Sequence, residues 1–232
     1  MRRSVLSHIW RSGPFLYPDK SPQTEVDVWM RSKYPQLRFE RYADDAIVHC
    51  RTEAEAQEVR AAIAARMEEC RLELHPEKTK VVYCKDDDRR RRYPNEKFDF
   101  LGYGFQPRRS KNRYGKYFIN FSPAVSNKAA KYMRQTIRHW RIQLKPGSAL
   151  EDIARAVNPV LRGWINYYGR FYKSQMYPVL RHMNQALVQW ARRKYKKLET
   201  HKKRAENWLG NIAKREPKLF VHWQMGIKPT AG

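Results

Sequence analysis

The first hundred residues alternate apolar and polar positions in short stretches, as β-strands do. "LRFERYA" and "AIVHC", within residues 37–50, are two such stretches, and Asp44 and Asp45 lie between them. This pattern predicts a β-hairpin with the paired carboxylates at its turn. Next, Thr52 and Glu55 form a capping-box pattern ahead of an apolar face that recurs every three or four positions up to residue 70. An amphipathic helix is predicted there.

Further short elements are predicted up to residue 121. The stretch "LELHPEKTKVVYC" predicts two strands separated by "HPEK", and the charged residues 85–97 predict a solvated loop. "FDFLGYGFQP" predicts one strand bent at Gly102, and "RRSKNRYGKYFINF" predicts a basic hairpin that turns near Tyr114 and Gly115. The opening residues 1–25 contain three prolines and no sustained period, so we expect them to be irregular.

From Ser122 onward the apolar positions follow a helical period. Ser122 is the expected N-cap of the first of several helices, with Pro123 at its first position and Pro146 at its end. The expected fold class is therefore α+β, followed by an all-helical part. We divide the chain into an irregular leader (1–25), an α+β part (26–107), a basic hairpin junction (108–121) and a helical part (122–232).

Charge is distributed very unevenly between the two halves. The chain has a net charge of +25, of which residues 108–232 carry +23, from 28 Lys/Arg against five Asp/Glu. The first 107 residues carry only +2. Like charges at this density destabilise a compact fold unless a polyanion neutralises them, so a nucleic acid is the expected partner.

Other classes of protein are less compatible with the composition. No apolar run approaches the roughly 20 residues of a membrane-spanning helix, and the N-terminal residues lack the apolar core of a secretory signal. We expect a cytoplasmic protein without a membrane partner. Three cysteines without a CxxC spacing predict reduced, buried thiols rather than disulfides or a zinc site.

The adjacent carboxylates Asp44 and Asp45 have two readings. Aspartate simply suits turns, and a solvated turn is the ordinary explanation. However, the pair is flanked by apolar strands in a protein built for a polyanion, and Mg²⁺ binds carboxylate and phosphate oxygens together. Two such ions stabilise the attacking and leaving oxygens of a phosphoryl transfer.

The order of these motifs resembles that of a known family. "YADD" in a hairpin, then a helix, "LELHPEKTKVVY" and "FDFLGY" resemble the successive palm motifs of reverse transcriptases, most closely those of bacterial group II intron reverse transcriptase/maturases. "PVLRGWINYYGRF" and "FVHWQMG" resemble the maturase-specific region of that family. The resemblance covers residues 26–226 and implies a palm remnant followed by a helical thumb and maturase domain.

The resemblance also implies roles for individual residues. Asp44 and Asp45 match the catalytic, Mg²⁺-binding pair, and Lys78 matches a lysine that assists the pyrophosphate leaving group, although a solvated lysine at a strand end is an equal alternative. Tyr42 and Gly102 would contact the template and primer. The implied partners are group II intron RNA and an RNA/DNA duplex.

Cations of the second half are the expected RNA contacts, because A-form RNA is recognised mainly through its backbone and shape. They are Arg108, Arg109, Lys111, Arg113, Lys116, Arg162, Arg170, Arg192, Arg193, Lys194, Lys196 and Lys197. Trp164, Tyr167, Tyr168 and Phe171 share one helical face. Packing is the expected role for most of these rings, and one or two are candidates for stacking on bases.

The sequence departs from the family before Tyr42. Only 41 residues precede Tyr42, whereas the family carries fingers and another metal-binding Asp there, and neither Asp19 nor Asp27 has a suitable context. We therefore expect the C-terminal portion of a truncated protein that binds intron RNA to assist splicing without synthesising DNA. A general basic nucleic-acid-binding protein with a relic acidic pair, an active polymerase and a chain that does not fold stably are the alternatives. The oligomeric state stays open.

Overall fold

In the computed structural model of this chain, residues 4–11, 22–88 and 92–229 are described, with side chains from residue 25 onward. The chain forms two compact units, Met1–Ser122 and Pro123–Gly232. The first is α+β and the second is helical, so the expected fold class is confirmed at this level.

The first unit is built around a five-stranded antiparallel sheet. Its strands follow the order β2-β3-β1, and β4 and β5 both pair with the other edge of β1. The elements in chain order are β1 (Ser4–Arg11), α1 (Pro22–Lys33), β2 (Arg38–Tyr42), β3 (Asp45–Cys50), α2 (Glu53–Glu69), β4 (Glu73–Leu74) and β5 (Lys80–Tyr83).

Strand β1 corrects the expectation of an irregular opening segment. Residues Ser4–Arg11 form the central strand of the sheet, with β3 on one side and β5 on the other. Its pairing partners lie about 40 and 80 residues further along the chain. Since no local period in the sequence carries this information, pairing with β3 and β5 decides the structure of the segment.

The predicted hairpin and the helix after it are both confirmed. Strands β2 and β3 pair from Arg38 with His49 to Tyr42 with Asp45, which leaves Ala43 and Asp44 as the turn. Helix α2 begins after Thr52, whose Oγ1 accepts the N–H of Glu55 at 3.1 Å.

Alternation along β3 directs its side chains to two different cores. Ala46, Val48 and Cys50 pack with α1 and α2 on one face of the sheet. Ile47 faces the opposite side and packs with Phe98 of a second, three-stranded sheet. Because successive side chains of a strand point to opposite faces, a single short strand contributes to both layers. Burial on the helical face raises the pKa of the Cys50 thiol to about 12.

The second sheet contains strands β6 (Phe98–Phe100), β7 (Tyr103–Lys111) and β8 (Tyr117–Val125). The expectation of one strand bent at Gly102 is wrong, since Phe98 pairs with Phe105 and Phe100 with Tyr103. Leu101 and Gly102 form a two-residue turn with φ values of 50° and 77°. Positive φ at both central positions is the type I′ pattern, which reverses the chain between adjacent strands.

The basic hairpin β7–β8 is confirmed, with its turn at residues 112–116. Gly115 has a φ of 83°, and Asn112 Oδ1 accepts the N–H groups of Tyr114 and Lys116, both at 2.9 Å. Strand β8 then continues to Val125, so the prediction that Ser122 caps a helix is wrong. The N-cap is Ser126, whose Oγ accepts the N–H of Ala129 at 3.1 Å.

The second unit consists of helices around one large apolar core. The helices are α3 (Asn127–His139), α4 (Leu150–Tyr168), α5 (Tyr177–Lys194), α6 (Lys202–Arg215) and the single turn α7 (Val221–Gln224). Helix α5 lies at the centre, and its Leu180, Met183, Leu187 and Trp190 are fully buried. Among the described residues, no helix combines the length and the apolar character that crossing a membrane requires.

Candidate nucleic-acid interface and acidic turn

The acidic turn is supported by an ion pair beneath it. Arg41 donates from Nε and Nη2 to the two carboxylate oxygens of Asp27, at 2.7 and 2.6 Å, and from Nη1 to the carbonyl of Ala43 at 3.1 Å. This arrangement joins α1 to the hairpin and holds Ala43, whose φ of 49° costs a residue with a side chain about 1 kcal/mol. Asp27 thus has a structural partner, Arg41.

The other predicted site residues lie on different elements of the first unit. Asp45 pairs with Ile9 of β1. Lys78 is exposed and lies in the turn that precedes β5, outside the strand ladder. Tyr42, 64% exposed, pairs with Asp45, whereas Gly102 lies in the turn of the second sheet.

The two carboxylates of this turn are of the ligand type that Mg²⁺ prefers, but two carboxylates do not complete the coordination of the ion. Asp44 and Asp45 are both half-buried, and Mg²⁺ takes one or two protein carboxylates together with phosphate oxygens and water. The adjacent strand, Ser4–Arg11, contains no Asp or Glu. Within the described part of the chain, no group of three or more His, Cys, Asp or Glu is placed to hold a metal ion. The pair suits one ion shared with a phosphate.

Cations and exposed aromatic rings alternate at the tip of the β7–β8 hairpin. The guanidinium of Arg109 lies 3.8 Å from the ring centre of Tyr117, and that of Arg113 lies 4.6 Å from the ring centre of Tyr114. Tyr114 is 77% exposed. Arg108, in contrast, is half-buried and donates to the carbonyls of Ser122 and Gly104, so it also holds the hairpin together.

The cations at the C-terminal end of α5 also include both exposed residues and residues that bond to the protein backbone. Arg192 Nε donates to the carbonyl of Glu199 at 2.8 Å, and Lys194 Nζ donates to the carbonyl of Ser148 at 2.6 Å. Arg193, Lys196 and Lys197 are exposed. Five cations are predicted to contact RNA here. Two of them, Arg192 and Lys194, also hold the fold of the unit through these backbone contacts.

The aromatic residues near the end of α4 separate into packed and exposed rings. Trp164 and Tyr168 pack against the core, and Trp164 stacks on Trp140 with 5.8 Å between ring centres. Tyr167 and Phe171 are 47% and 44% exposed. The nearby cations Arg162 and Arg170 are exposed as well. Two rings are thus packed and two are accessible for stacking on bases, as the sequence pattern allowed.

Helix α3 presents a cationic face that the sequence reading did not single out. Lys128, Lys131 and Arg138 are exposed on it, together with Tyr132, which is 65% exposed. Lys131 and Arg138 follow Lys128 by three and ten residues, which places the three cations along one side of the helix. The sequence alone contains this period.

Comparison with known protein families supports the same division of the chain. The family described as "Reverse transcriptase (RNA-dependent DNA polymerase)" matches residues 23–105. The family described as "Group II intron, maturase-specific domain" matches residues 130–208. The chain belongs to the group II intron reverse transcriptase/maturase family. No curated protein matches it.

Membership of this family gives the surfaces above a partner class. Reverse transcriptase and maturase domains act on nucleic acids, and polymerases of this family generally use Mg²⁺. In this reverse transcriptase/maturase the acidic turn and β5 lie within the polymerase match, and α3, α4 and α5 lie within or across the maturase match. The basic hairpin connects the two matched segments.

Proposed function

We propose that this reverse transcriptase/maturase binds the folded RNA of a group II intron and stabilises the fold in which the RNA splices itself. The observation that carries this proposal is the exposed cationic surface of the maturase-matched helices, where Lys128, Lys131 and Arg138 accompany Tyr132. Phosphates of a compact RNA neutralise such a surface, and unpaired bases stack on exposed rings. We assign residues 26–107 to the palm and 122–232 to the thumb and maturase domain.

The acidic turn would hold Mg²⁺ only together with a phosphate. When bound, the ion would supply charge neutralisation for a phosphate group beside Tyr42. Asp44 and Asp45 are the residues that would hold it, and Arg41 keeps their turn in place. The neighbouring strand β1 provides Ile9 opposite Asp45 and no carboxylate in Ser4–Arg11. Since a missing member of a catalytic unit usually costs orders of magnitude in rate, we propose that the chain does not extend primers.

A binding competition tests the maturase proposal. The full chain is titrated with a self-splicing group II intron RNA and with an unrelated RNA duplex of the same length, at physiological ionic strength. We expect the intron to bind at least tenfold more tightly than the duplex. Both RNAs offer phosphate contacts, and the folded shape and unpaired bases of the intron contribute additional binding free energy. Faster splicing of the intron at limiting Mg²⁺ is the expected functional result.

Equal affinities in that titration would favour the second candidate, a general nucleic-acid-binding protein whose acidic pair is a relic. The charge distribution alone supports this candidate, because a net charge of +23 in residues 108–232 attracts any polyanion. The two functions share the strong salt dependence, so only the comparison of matched RNAs separates them.

Primer extension tests the polymerase part. The chain is incubated with an RNA template, a DNA primer, deoxynucleotides and Mg²⁺, and no extension is expected. Extension that is lost in Asp44→Ala would contradict the proposal and make the chain an active polymerase. A retroviral reverse transcriptase in the same buffer is the positive control.

A further inference from the structure

A cavity of about 210 Å³ lies in the first unit, beside the sheet edge formed by β5. Helix α2 forms one wall with Arg60, and β5 with its preceding residue forms another with Thr79, Lys80 and Tyr83. The segment around Tyr93 closes the third side. This segment is attached to β5, because Tyr83 N–H donates to the carbonyl of Asn95 at 2.8 Å. The β2 edge of the sheet, which carries the acidic turn, is the opposite one.

The walls of this cavity combine cations with aromatic rings. Arg60 and Lys80 are cations, and Lys80 is exposed at the edge strand. Tyr83 and Tyr93 form an aromatic wall, with ring centres 4.2 Å apart and planes inclined by 34°. Thr79 is 5% exposed, and its buried hydroxyl has no hydrogen-bond partner among the described residues.

The composition of the cavity wall indicates the kind of ligand that it suits. The cations favour a ligand with negative charge, and the tyrosines favour one with a planar ring.

We propose that this cavity binds one unpaired nucleotide of an RNA, with its phosphate at Lys80 and Arg60 and its base against the tyrosine wall. The proposal rests on the proposed RNA-binding function and adds a second contact point, in the polymerase-matched unit. Pockets for drug-sized ligands measure roughly 300–1,000 Å³, so this smaller cavity suits a ligand no larger than a single nucleotide.

Glu53 gives the cavity a preference among bases. Glu53 lines the same cavity at the start of α2, and an ionised carboxylate accepts hydrogen bonds without donating any. Adenine, cytosine and guanine carry an exocyclic amino group that donates to such an acceptor, and uracil does not. The cavity therefore prefers an amino-bearing base over uracil.

Calorimetric titration of the full chain with AMP, CMP, UMP and inorganic phosphate tests the proposal. We expect AMP and CMP to bind more tightly than UMP, and phosphate to bind least. Lys80→Ala should weaken AMP binding at least about fivefold, since it removes one contact to the ligand. Glu53→Gln should reduce the difference between CMP and UMP.

Lys97→Ala is the matched control, because Lys97 is an exposed lysine of the same unit that does not line the cavity. Its AMP affinity should equal that of the unsubstituted chain. Lys80→Ala changes only an exposed side chain, so thermal melting of this variant should match that of the parent. A loss of AMP binding with unchanged melting then reports on the ligand site.

Three results would overturn the proposal. They are no heat of binding with any nucleotide, equal binding of AMP and inorganic phosphate, and an equal loss of affinity in Lys97→Ala. These outcomes are distinct from failure of the proposed function, which is measured by preference for intron RNA over duplex. If the chain binds AMP in the cavity but does not prefer intron RNA over duplex, the nucleotide site is supported and the maturase proposal is contradicted.

Discussion

Asn184 is the one polar side chain of α5 that is buried in the core of the second unit. Its Oδ1 accepts from His222 Nε2 at 2.7 Å and from Trp223 Nε1 at 2.9 Å, and its Nδ2 donates to the carbonyl of Ile227 at 3.0 Å. A single amide thus connects the last described segment of the chain to the central helix. No local pattern in the sequence indicated this network.

Replacing Asn184 with leucine should destabilise the protein strongly. The substitution leaves two buried N–H groups and one carbonyl without partners, and we expect a loss of about 3 kcal/mol in the free energy of unfolding. Urea denaturation followed by circular dichroism measures it. The matched control is Gln185→Leu at the next, exposed position, which should change stability by no more than about 0.5 kcal/mol. Similar losses in both variants would refute the role of the network.

His222 makes the stability of this unit depend on pH. Burial lowers the pKa of His222 from its ordinary value of 6.5 to about 3. The folded chain keeps the ring neutral, whereas the unfolded chain takes up a proton below about pH 6.5. The unfolded state therefore binds more protons between pH 6.5 and 3, and the free energy of unfolding decreases as the pH falls through this window.

The variant His222→Gln isolates this contribution, because glutamine does not titrate and retains an N–H donor for Asn184. We expect its unfolding free energy to decrease less steeply between pH 6.5 and 5, by roughly 1 kcal/mol per pH unit relative to the parent. Guanidinium titrations at several pH values measure both slopes. Identical slopes would show that the His222 ring is already protonated in the folded chain.

At the scale of elements, the β7–β8 hairpin is the part whose function depends most on its local structure. Its tip residues from Lys111 to Tyr117 are exposed. The Asn112 side chain stabilises the turn by accepting two backbone N–H groups, and substituting other side chains of the tip leaves these hydrogen bonds intact. The hairpin is therefore suited to a test in which charge changes and fold does not.

The double substitution Lys111→Ala and Lys116→Ala should weaken binding of intron RNA and lower its salt dependence. Each lost phosphate contact reduces the slope of log K against log salt by about 0.9, so we expect a decrease of up to about 2. Filter binding at several salt concentrations measures the slope. Arg31→Ala with Lys97→Ala removes the same charge from exposed positions outside the hairpin, and an equal decrease there would indicate a non-specific charge effect.

Local sequence patterns determine some elements of this chain and are overridden in others. The Thr52 cap and the period of Val59, Ile63 and Met67 located α2 to within a residue. Ser122–Pro123 is as good a helix start by local chemistry as Ser126, yet β8 extends through it to pair with β7. Strand pairing overrides a local cap because each ladder bond satisfies a backbone group that the helix start would leave to water.

For the whole molecule, the uneven charge has a direct physical consequence. Residues 108–232 carry +23, and their exposed cations include residues on the hairpin, on α3, at the ends of α4 and α5 and at both ends of α6. Charge on this scale needs a polyanion to offset its repulsion.

Affinity for intron RNA should consequently fall steeply with salt. If six or more phosphates are neutralised, binding weakens about a thousandfold or more between 50 and 200 mM salt. Fluorescence anisotropy with a labelled intron RNA measures this range. A change below tenfold would show that few of these cations contact phosphates.

The sequence by itself determined the hairpin at Asp44 and Asp45, the helical second half, the family and the location of the excess charge. Periodicity, capping residues and composition are local properties, because they depend only on residues close together in the sequence. Tertiary structure alone decided that Ser4–Arg11 pairs between β3 and β5, that Arg108, Arg192 and Lys194 donate to carbonyls, and that Thr79 lines a cavity. These outcomes depend on contacts between residues distant in the chain, which no local pattern encodes.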